Sequence, residues 1–187
     1  MAVKIIDNCC SPMYLDCLKE IATNSDNWNF QYPIGREIED KFPKLDVAGN
    51  RTDHPFLAGL AMGLLIQIHE AGGQDLFIPK MLTCGISIKD KHRVDNIHTD
   101  NKKEDNFVKI LGLLNSDWKE EWGGGFFHNG TSNYIKPTSF CIFDSVEEHL
   151  TEEIFTDKKR FAIDFTVCRD QQSFNKVLEN ATIIKMK

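Results

Sequence analysis

Apolar residues recur at helical spacing in two segments near the start of the chain. Ser11 and Pro12 are typical of the cap and first turn of a helix, which we predict over residues 12–23. A second helix is predicted over residues 55–71, ended by two glycines. The candidate buried positions of the first helix include Met13, Leu18, Ile21 and Ala22. Those of the second, which we interpret as a packing helix, are Leu57, Leu60, Ala61, Leu64, Leu65 and Ile68.

After residue 75 the apolar residues fall into short runs separated by glycine and polar residues. The clearest strand is 160–168, where Phe161, Ile163 and Phe165 alternate with polar or small residues. The turn-rich and charged stretch between the two helices is expected to be irregular, and the last 17 residues are expected to be helical or loose. The five runs predicted as strands are 77–88, 107–114, 125–128, 139–143 and 160–168.

Helices followed by five or more short strands predict an α+β fold built on a sandwich or barrel. The length of 187 residues is that of one domain, so we predict a single domain over residues 1–187. Its helical part is expected over about residues 1–75 and its strand core over about residues 76–170.

Composition narrows the class of protein. Hydrophobic residues make up 41% of the chain and charged residues 27%, which excludes a disordered chain, a collagen and a coiled coil. No run approaches the roughly 20 apolar residues of a membrane span, and no signal-peptide pattern is present. We therefore predict a cytoplasmic protein without a membrane partner, whose six cysteines are free thiols. The net charge of −6 argues against a nucleic-acid partner.

Four residues of the strand-rich part form a consistent set for metal chemistry. His98 and Asp100 are two positions apart, so on a strand they face the same side. With His149 they make two histidines and one carboxylate, the ligand set of non-haem Fe(II) oxygenases. Arg160 opens the alternating strand on its polar face, where a buried arginine would need an anion. An arginine can hold a carboxylate through two parallel hydrogen bonds.

Four sequence motifs together resemble the Fe(II)/2-oxoglutarate-dependent dioxygenases, most closely the prolyl-4-hydroxylase-like group. The resemblance covers about residues 77–168, and the motifs stand in the family's order at nearly its spacings. The motifs are HTD (98–100), VKILGLLNSDWKEEWGGGFF (108–127), FDSVEEH (143–149) and RFAIDFTV (160–167).

The resemblance implies a double-stranded β-helix, a jelly-roll barrel related to the cupins, with the N-terminal helices packed outside. It implies that His98, Asp100 and His149 hold Fe(II) and that Arg160 holds the distal carboxylate of the co-substrate 2-oxoglutarate. The implied reaction hydroxylates a C–H bond with O2 and gives succinate and CO2. Ascorbate is an optional further cofactor of such enzymes.

Two positions depart from the family pattern. The family often supplies a tyrosine to the co-substrate, whereas Leu111 and Leu113 stand at the matching inward positions here, so we expect these leucines to line the co-substrate site. Asp164 replaces a small hydroxyl residue on the same face as Arg160. We expect Asp164 either to pair with Arg160, weakening its hold on 2-oxoglutarate, or to contact a cationic or polar group of the substrate.

Other residues near the predicted centre have simpler interpretations. Trp118 is a core or lid anchor that could contribute to the site, and Gly123–Gly125 form a strand-entry turn that needs positive φ. Lys109 is a solvated strand residue or, less often in such positions, an inward-facing partner for an anion.

The resemblance favours a peptidyl proline as substrate. A small molecule, such as an amino acid or a sugar, is the alternative, and a non-catalytic cupin-like metal-binding barrel is the other class. The alkylation-repair demethylases are disfavoured, because Ala162 and Thr166 stand where their signature has asparagine and arginine. The polar stretches 28–53 and 89–106 are predicted to be lids at the barrel mouth.

Overall fold

The computed structural model describes residues 2–31, 42–49, 54–91, 93, 95–101 and 106–185. The helices in these residues are α1 (Pro12–Thr23), α2 (Pro55–Ile68, continued by a π-helical turn, His69–Gly73) and α3 (Gln171–Lys185). The strands are β1 (Lys4–Ile6), β2 (Asn29–Gln31), β3 (Phe42–Ala48), β4 (Met81–Lys89), β5 (Phe107–Leu113), β6 (Phe126–His128), β7 (Thr131–Asn133), β8 (Phe140–Asp144), β9 (His149–Thr151) and β10 (Arg160–Cys168). Both predicted helices and all five predicted strands are present, which confirms the α+β class.

The strands form a large and a small antiparallel sheet. The large sheet has the order β1-β8-β5-β10-β4-β3-β2, and the small sheet has the order β7-β6-β9. In the described residues no ladder joins the two sheets into a closed barrel. The expected closed double-stranded β-helix is therefore not seen in full, although Phe126 of the small sheet packs on Phe143 of the large sheet with ring centroids 4.7 Å apart.

Strand β10 lies at the centre of the large sheet and shows why the sheet has two different faces. Phe161, Ile163 and Phe165 are buried on the face that α1 and α2 cover. Because successive side chains of a strand point to opposite faces, Arg160 and Asp164 lie on the face toward the small sheet. Each large apolar side chain buried on the helix face contributes about 1.5–3 kcal/mol, so this row fixes the orientation of the polar row as well.

The two N-terminal helices begin where the sequence predicts. The hydroxyl oxygen of Ser11 accepts a hydrogen bond from the backbone N–H of Tyr14 at 3.3 Å, and the Tyr14 hydroxyl donates to the Leu60 carbonyl of α2 at 2.7 Å. The assignment of Met13 to the core is wrong, since its side chain is 78% exposed. Leu15 is buried in its place, because it lies on the stripe that faces α2 and the sheet.

Helix α2 and its π-helical turn are long and apolar enough, by composition alone, to cross a membrane. Its apolar stripe is instead buried in the core, so it acts as the packing helix that the sequence predicts. The buried residues of this stripe are Leu57, Ala61, Leu64, Leu65 and Ile68.

The region expected to be helical or irregular also supplies three strands of the large sheet. In β3, Leu45 and Val47 are fully buried and alternate with Lys44 and Asp46. Two apolar positions among charged residues are too short a pattern to identify a strand, and pairing with β4 decides the conformation. Parts of both predicted lid segments, 32–41, 50–53, 92, 94 and 102–105, lie outside the described residues.

Candidate metal centre

The two histidines and the carboxylate predicted as metal ligands lie together at one end of the small sheet. His98 and His149 exchange two backbone hydrogen bonds, of 3.1 and 3.0 Å, which fix the HxD segment beside β9. The backbone N–H of Asp100 donates to the Ser145 carbonyl at 2.9 Å. One ligand atom from each of the three side chains lies within 4.8 Å of the others. The site residues are thus brought together from two distant segments.

The hydrogen bonds of both rings select the tautomer that a metal requires. Nδ1 of His98 lies 2.9 Å from the Asn96 carbonyl oxygen, and Nδ1 of His149 lies 2.9 Å from the Glu147 carbonyl oxygen. A carbonyl oxygen only accepts, so Nδ1 is the donor in this bond, and Nε2 of each ring is the atom left to donate to the carboxylate or to bind a metal. These Nε2 atoms lie 3.8 and 3.5 Å from the carboxylate oxygens of Asp100.

The Nε2 atoms of both rings and the carboxylate of Asp100 face one point. Metal–ligand bonds of about 2.1 Å place neighbouring donor atoms about 3.0–3.5 Å apart. The two imidazole–carboxylate separations of 3.8 and 3.5 Å are at or just above this range, and all three donor atoms lie within 4.8 Å of one another. Two neutral imidazoles and one carboxylate are the donors of a non-haem Fe(II) site. The residues present therefore fit the ion.

A buried lysine neutralises the centre from the large sheet. Lys109 Nζ lies 2.7 Å from Asp164 Oδ1 and 3.6 Å from Asp100 Oδ2. Burial alone would lower the pKa of Lys109, but the Asp164 and Asp100 carboxylates raise it above its usual value. Burial alone would likewise raise the pKa of Asp100, but hydrogen bonding to His149 and the charge of Lys109 lower it below its usual range. Of the two interpretations of Lys109, the inward-facing one is correct.

Arg160 is the largest fully buried side chain, with 1% of its surface exposed. Its Nε and Nη1 atoms are buried and have no hydrogen-bond partner among the described residues. Burial lowers the pKa of the guanidinium to about 10, with the Asp95 carboxylate opposing part of this effect, so the group is cationic at neutral pH. A buried, charged and unpartnered guanidinium is the feature expected of a site for a carboxylate.

A buried ion cluster that sequence analysis missed lies beside Arg160. Lys89 stands opposite Arg160 in the β4–β10 ladder, and its Nζ pairs with Asp95 and donates to Thr151 Oγ1 at 2.5 Å. Burial lowers the pKa of Lys89 to about 8, against the charge of Asp95. Asp95 also accepts from Arg93 Nε at 2.5 Å. Asp95 stands in an irregular polar stretch, so no sequence pattern marks it.

The expectation that Asp164 pairs with Arg160 is wrong. The two residues are four positions apart on β10, a separation of about 13 Å along a strand. Asp164 pairs with Lys109 of the neighbouring strand instead. Its pKa, which burial would raise, is lowered below the usual value mainly by Lys109. Asp164 is therefore part of the metal end of the site rather than the arginine end.

The other predicted site residues lie in an apolar cluster on the same face of the sheet. Leu113 and Trp118 pack together with Ile154 and Ala162, and Leu111 and Tyr134 pack against this cluster. The Trp118 indole N–H donates to the Gly123 carbonyl at 3.0 Å, so Trp118 anchors the glycine turn.

The glycine turn has the predicted positive φ at two of its three glycines, 73° at Gly123 and 72° at Gly124, but not at Gly125. Tyr134 is a tyrosine that the sequence order does not suggest for this region. Its hydroxyl donates to the Trp118 carbonyl at 2.9 Å.

Comparison with known proteins gives a structural likeness and no sequence match. No family model matches the chain, and no curated protein matches its sequence. A prolyl-4-hydroxylase from Pseudomonas putida superposes with a TM-score of 0.63 at 15% identity, over 90% of this chain and 92% of that one. HygX from Streptomyces hygroscopicus, determined with nickel and 2-oxoglutarate bound, gives 0.65 at 12% identity, over 90% and 83%.

A further likeness is to a prolyl hydroxylase from Trichoplax adhaerens in complex with a peptide fragment of hypoxia inducible factor. Its TM-score is 0.61 at 16% identity, over 91% of this chain and 85% of that one. Two of these solved structures are prolyl hydroxylases and the third holds 2-oxoglutarate, which supports the resemblance found in the sequence. At such identities the likeness shows that the fold is shared.

Proposed function

We propose that this protein is an Fe(II)- and 2-oxoglutarate-dependent hydroxylase. One observation carries the proposal: the metal-ligand centre and the buried arginine lie on the same face of the large sheet. A three-ligand centre whose imidazole Nε2 atoms face a carboxylate lies on the same face as a buried guanidinium whose Nε and Nη1 have no hydrogen-bond partner among the described residues. The three donors suit a metal ion, and the unsatisfied nitrogens of the guanidinium suit a carboxylate, and both are groups that this chemistry requires.

In this proposal His98, Asp100 and His149 hold Fe(II), and Arg160 holds the distal carboxylate of 2-oxoglutarate. Bound iron and co-substrate supply the oxidation, in which one atom of O2 enters the C–H bond of the substrate and the other enters succinate as CO2 leaves. The depressed pKa of Asp100 keeps this ligand ionised at neutral pH. Leu111 and Leu113 line the co-substrate on its apolar side. A requirement for ascorbate stays a prediction, as do the single domain and the cytoplasmic location.

Peptidyl proline is the substrate that the family resemblance favours. Prolyl hydroxylases among the similar structures, one of them holding a peptide, support this assignment. A small molecule is the alternative substrate class. A polar cavity lined by Lys109 and Asp164 favours it.

A non-catalytic metal-binding barrel is the second candidate function. Leu111 and Leu113 support it, because they stand where the family often supplies a tyrosine to the co-substrate. Formation of succinate from 2-oxoglutarate distinguishes the two candidates, since only the hydroxylase converts the co-substrate.

The proposal is tested by adding Fe(II) and then 2-oxoglutarate to the protein without oxygen. We expect a visible charge-transfer band that saturates with 2-oxoglutarate. His98→Ala and Asp100→Ala should abolish Fe(II) binding and the band, because two remaining donors hold the ion too weakly. His54→Ala is the matched control, since His54 bonds Ser25 Oγ at 2.8 Å and is not part of the centre.

The proposal fails if Fe(II) binds with equal stoichiometry to wild type and both ligand variants. Iron binding without the band, and without succinate in air, would favour the non-catalytic barrel.

A further inference from the structure

A cavity of about 510 Å³ adjoins the candidate metal centre on the face of the large sheet. Lys109 and Asp164 line it, and Lys109 connects it to the centre, because Lys109 Nζ lies 3.6 Å from Asp100 Oδ2. Its volume is that of a small-molecule site. Its polar lining residues are Asn29, Lys44, Asp46, Thr83, Lys109 and Asp164.

The cavity differs from an ordinary apolar pocket in what lines it. The remaining lining residues are alanine, cysteine and glycines, so the described lining contains no aromatic residue and no leucine, isoleucine or valine. A prolyl ring is uncharged and apolar, and proline-rich segments are recognised by aromatic-lined grooves. This lining therefore suits a polar ligand better than the ring of a peptidyl proline.

The charges of the lining balance. Two lysines and two aspartates line the cavity, which sums to zero, so a ligand without net charge is complementary to it. Lys109 and Asp164 already neutralise each other at 2.7 Å. Lys44 and Asp46 form no ion pair with another described residue, although both are half-buried and share the cavity face of β3. Lys44 also acts on Asp164 and lowers the pKa of that carboxyl group, but neither Lys44 nor Asp46 is held in an ion pair within the described residues, so both can contact a ligand.

Gly85 shapes the contact between these charges. A side-chain carbon at this position would lie 2.6 Å from Lys44 Cε and 3.2 Å from Asp164 Oδ2. The absence of a side chain lets Lys44 lie over Gly85, on the side of the sheet that Asp164 occupies.

We propose that the cavity binds a free α-amino acid as the substrate, with its carboxylate at Lys44 and its ammonium group at Asp46. Residues i and i+2 of a strand are about 6.6 Å apart on one face, and the two charged groups of an α-amino acid fit between such side chains. The proposal rests on the hydroxylase function proposed above and names its substrate class.

The first test uses the twenty common L-amino acids as free zwitterions with the Fe(II)-loaded full chain, 2-oxoglutarate and O2. At least one should stimulate succinate formation and gain one oxygen atom, while its N-acetyl and carboxamide derivatives should be at least about tenfold weaker, because each lacks one charge. A proline-containing peptide is included in the same assay. Equal activity of the blocked derivatives, hydroxylation of the peptide alone, or no response to any free amino acid overturns the proposal.

The second test determines whether Lys44 binds the carboxylate of the amino acid and Asp46 binds its ammonium group. Lys44→Gln should reduce the preference for the free acid over its carboxamide by about tenfold. Asp46→Asn should reduce the preference for the free amine over its N-acetyl form by about tenfold. The 2-oxoglutarate titration should be unchanged in both. Lys176→Gln and Asp26→Asn, at exposed positions, are the matched controls. Preferences unchanged from wild type would contradict the assignment.

Failure of this proposal is distinguishable from failure of the hydroxylase function. If the charge-transfer band forms but only the peptide reacts, the hydroxylase function holds and the amino-acid site is refuted. If the band never forms, calorimetric titration of the same amino acids still tests the cavity, and binding lost in Lys44→Gln would show an amino-acid site without this chemistry.

Discussion

Three buried cations of the site differ in what neutralises them. Lys109 lies between two carboxylates, and Lys89 shares Asp95 with a neighbouring arginine. Arg160 has two nitrogen atoms without a partner among the described residues. A buried charge without a partner costs several kcal/mol, so Arg160 is the residue whose role depends on a bound anion.

Replacement of Arg160 by methionine should therefore have opposite effects on binding and stability. Arg160→Met should weaken 2-oxoglutarate by about 30-fold or more, because a buried charged contact is lost. The ligand-free variant should be as stable as wild type or more stable, since an uncompensated buried charge is removed. Anaerobic titration and urea unfolding measure the two effects. Normal 2-oxoglutarate affinity in a destabilised variant would show that Arg160 is only structural.

The Lys109–Asp164 pair should behave as one unit. Lys109→Met should destabilise the protein by about 3–5 kcal/mol, because it leaves the buried carboxylate of Asp164 without its lysine. Asp164→Leu should cost less, because Lys109 keeps Asp100 at 3.6 Å. The double variant should lose much less than the sum of the two. Urea unfolding of all four proteins gives the coupling energy, and additive losses would mean that the pair is not neutralised as the 2.7 Å contact indicates.

At the scale of elements, β10 and the glycine turn together hold the arginine. The alternation of β10 puts Arg160 on the inner face, and the turn that precedes β6 covers it. A side-chain carbon at Gly124 would lie 2.8 Å from Arg160 Cδ. The turn therefore needs glycine both for its positive φ and for its close approach to the arginine.

Two glycine substitutions distinguish the requirement for positive φ from the requirement for close approach to Arg160. Gly124 and Gly130 both have positive φ, but nothing lies within 4 Å of a side-chain carbon at Gly130. Gly130→Ala should cost about 1–2 kcal/mol of stability from backbone strain alone and leave 2-oxoglutarate binding unchanged. Gly124→Ala should cost more and should also weaken 2-oxoglutarate. Equal effects of the two substitutions on binding would contradict the role of the turn.

At the scale of the whole molecule, the polar groups of the site are enclosed between the two sheets, while the helices cover the opposite face of the large sheet. Because these groups are enclosed, the ionisation of the buried carboxylates depends on the cations beside them. Asp95, Asp100 and Asp164 each have a pKa below the usual value, because neighbouring cations or hydrogen bonds outweigh the effect of burial. The stability of the fold should therefore depend on pH.

We expect the free energy of unfolding to fall as the pH decreases below about 5. In that range the unfolded chain takes up protons on these aspartates and the folded chain does not, so acid favours unfolding. Asp95→Asn should lower stability at pH 7 by about 3–5 kcal/mol, and its difference from wild type should narrow in acid. Urea unfolding at several pH values measures both.

Asp157→Asn is the control for the pH dependence, because Asp157 pairs with Lys91 at the surface with 86% of its side chain exposed. A surface pair contributes about 0–1 kcal/mol, so this variant should follow wild type at every pH. An Asp95→Asn curve parallel to wild type would contradict the buried cluster as the source.

The sequence was sufficient where a feature depends on local periodicity. The helix start at Ser11, the two faces of β10 and the positive φ of the glycine turn follow from spacing and backbone sterics among near neighbours. The metal ligand set was proposed from residue types and their order. The short strand β3 and the exposure of Met13 were missed, because pairing and packing outweigh a weak local pattern.

The tertiary structure alone decided which charges meet. Lys109 and Asp164 are brought together by the register of β5 on β10, and Lys89 faces Arg160 through the register of β4 on β10. Asp95 joins them from an irregular segment. Register between strands distant in sequence is set by the packing of the whole sheet. The alternation of residues along β10 therefore predicted the face on which Arg160 lies but not the residues beside it. For that reason the sequence indicated an oxygenase-like centre, and only the folded chain revealed the charged cavity beside it.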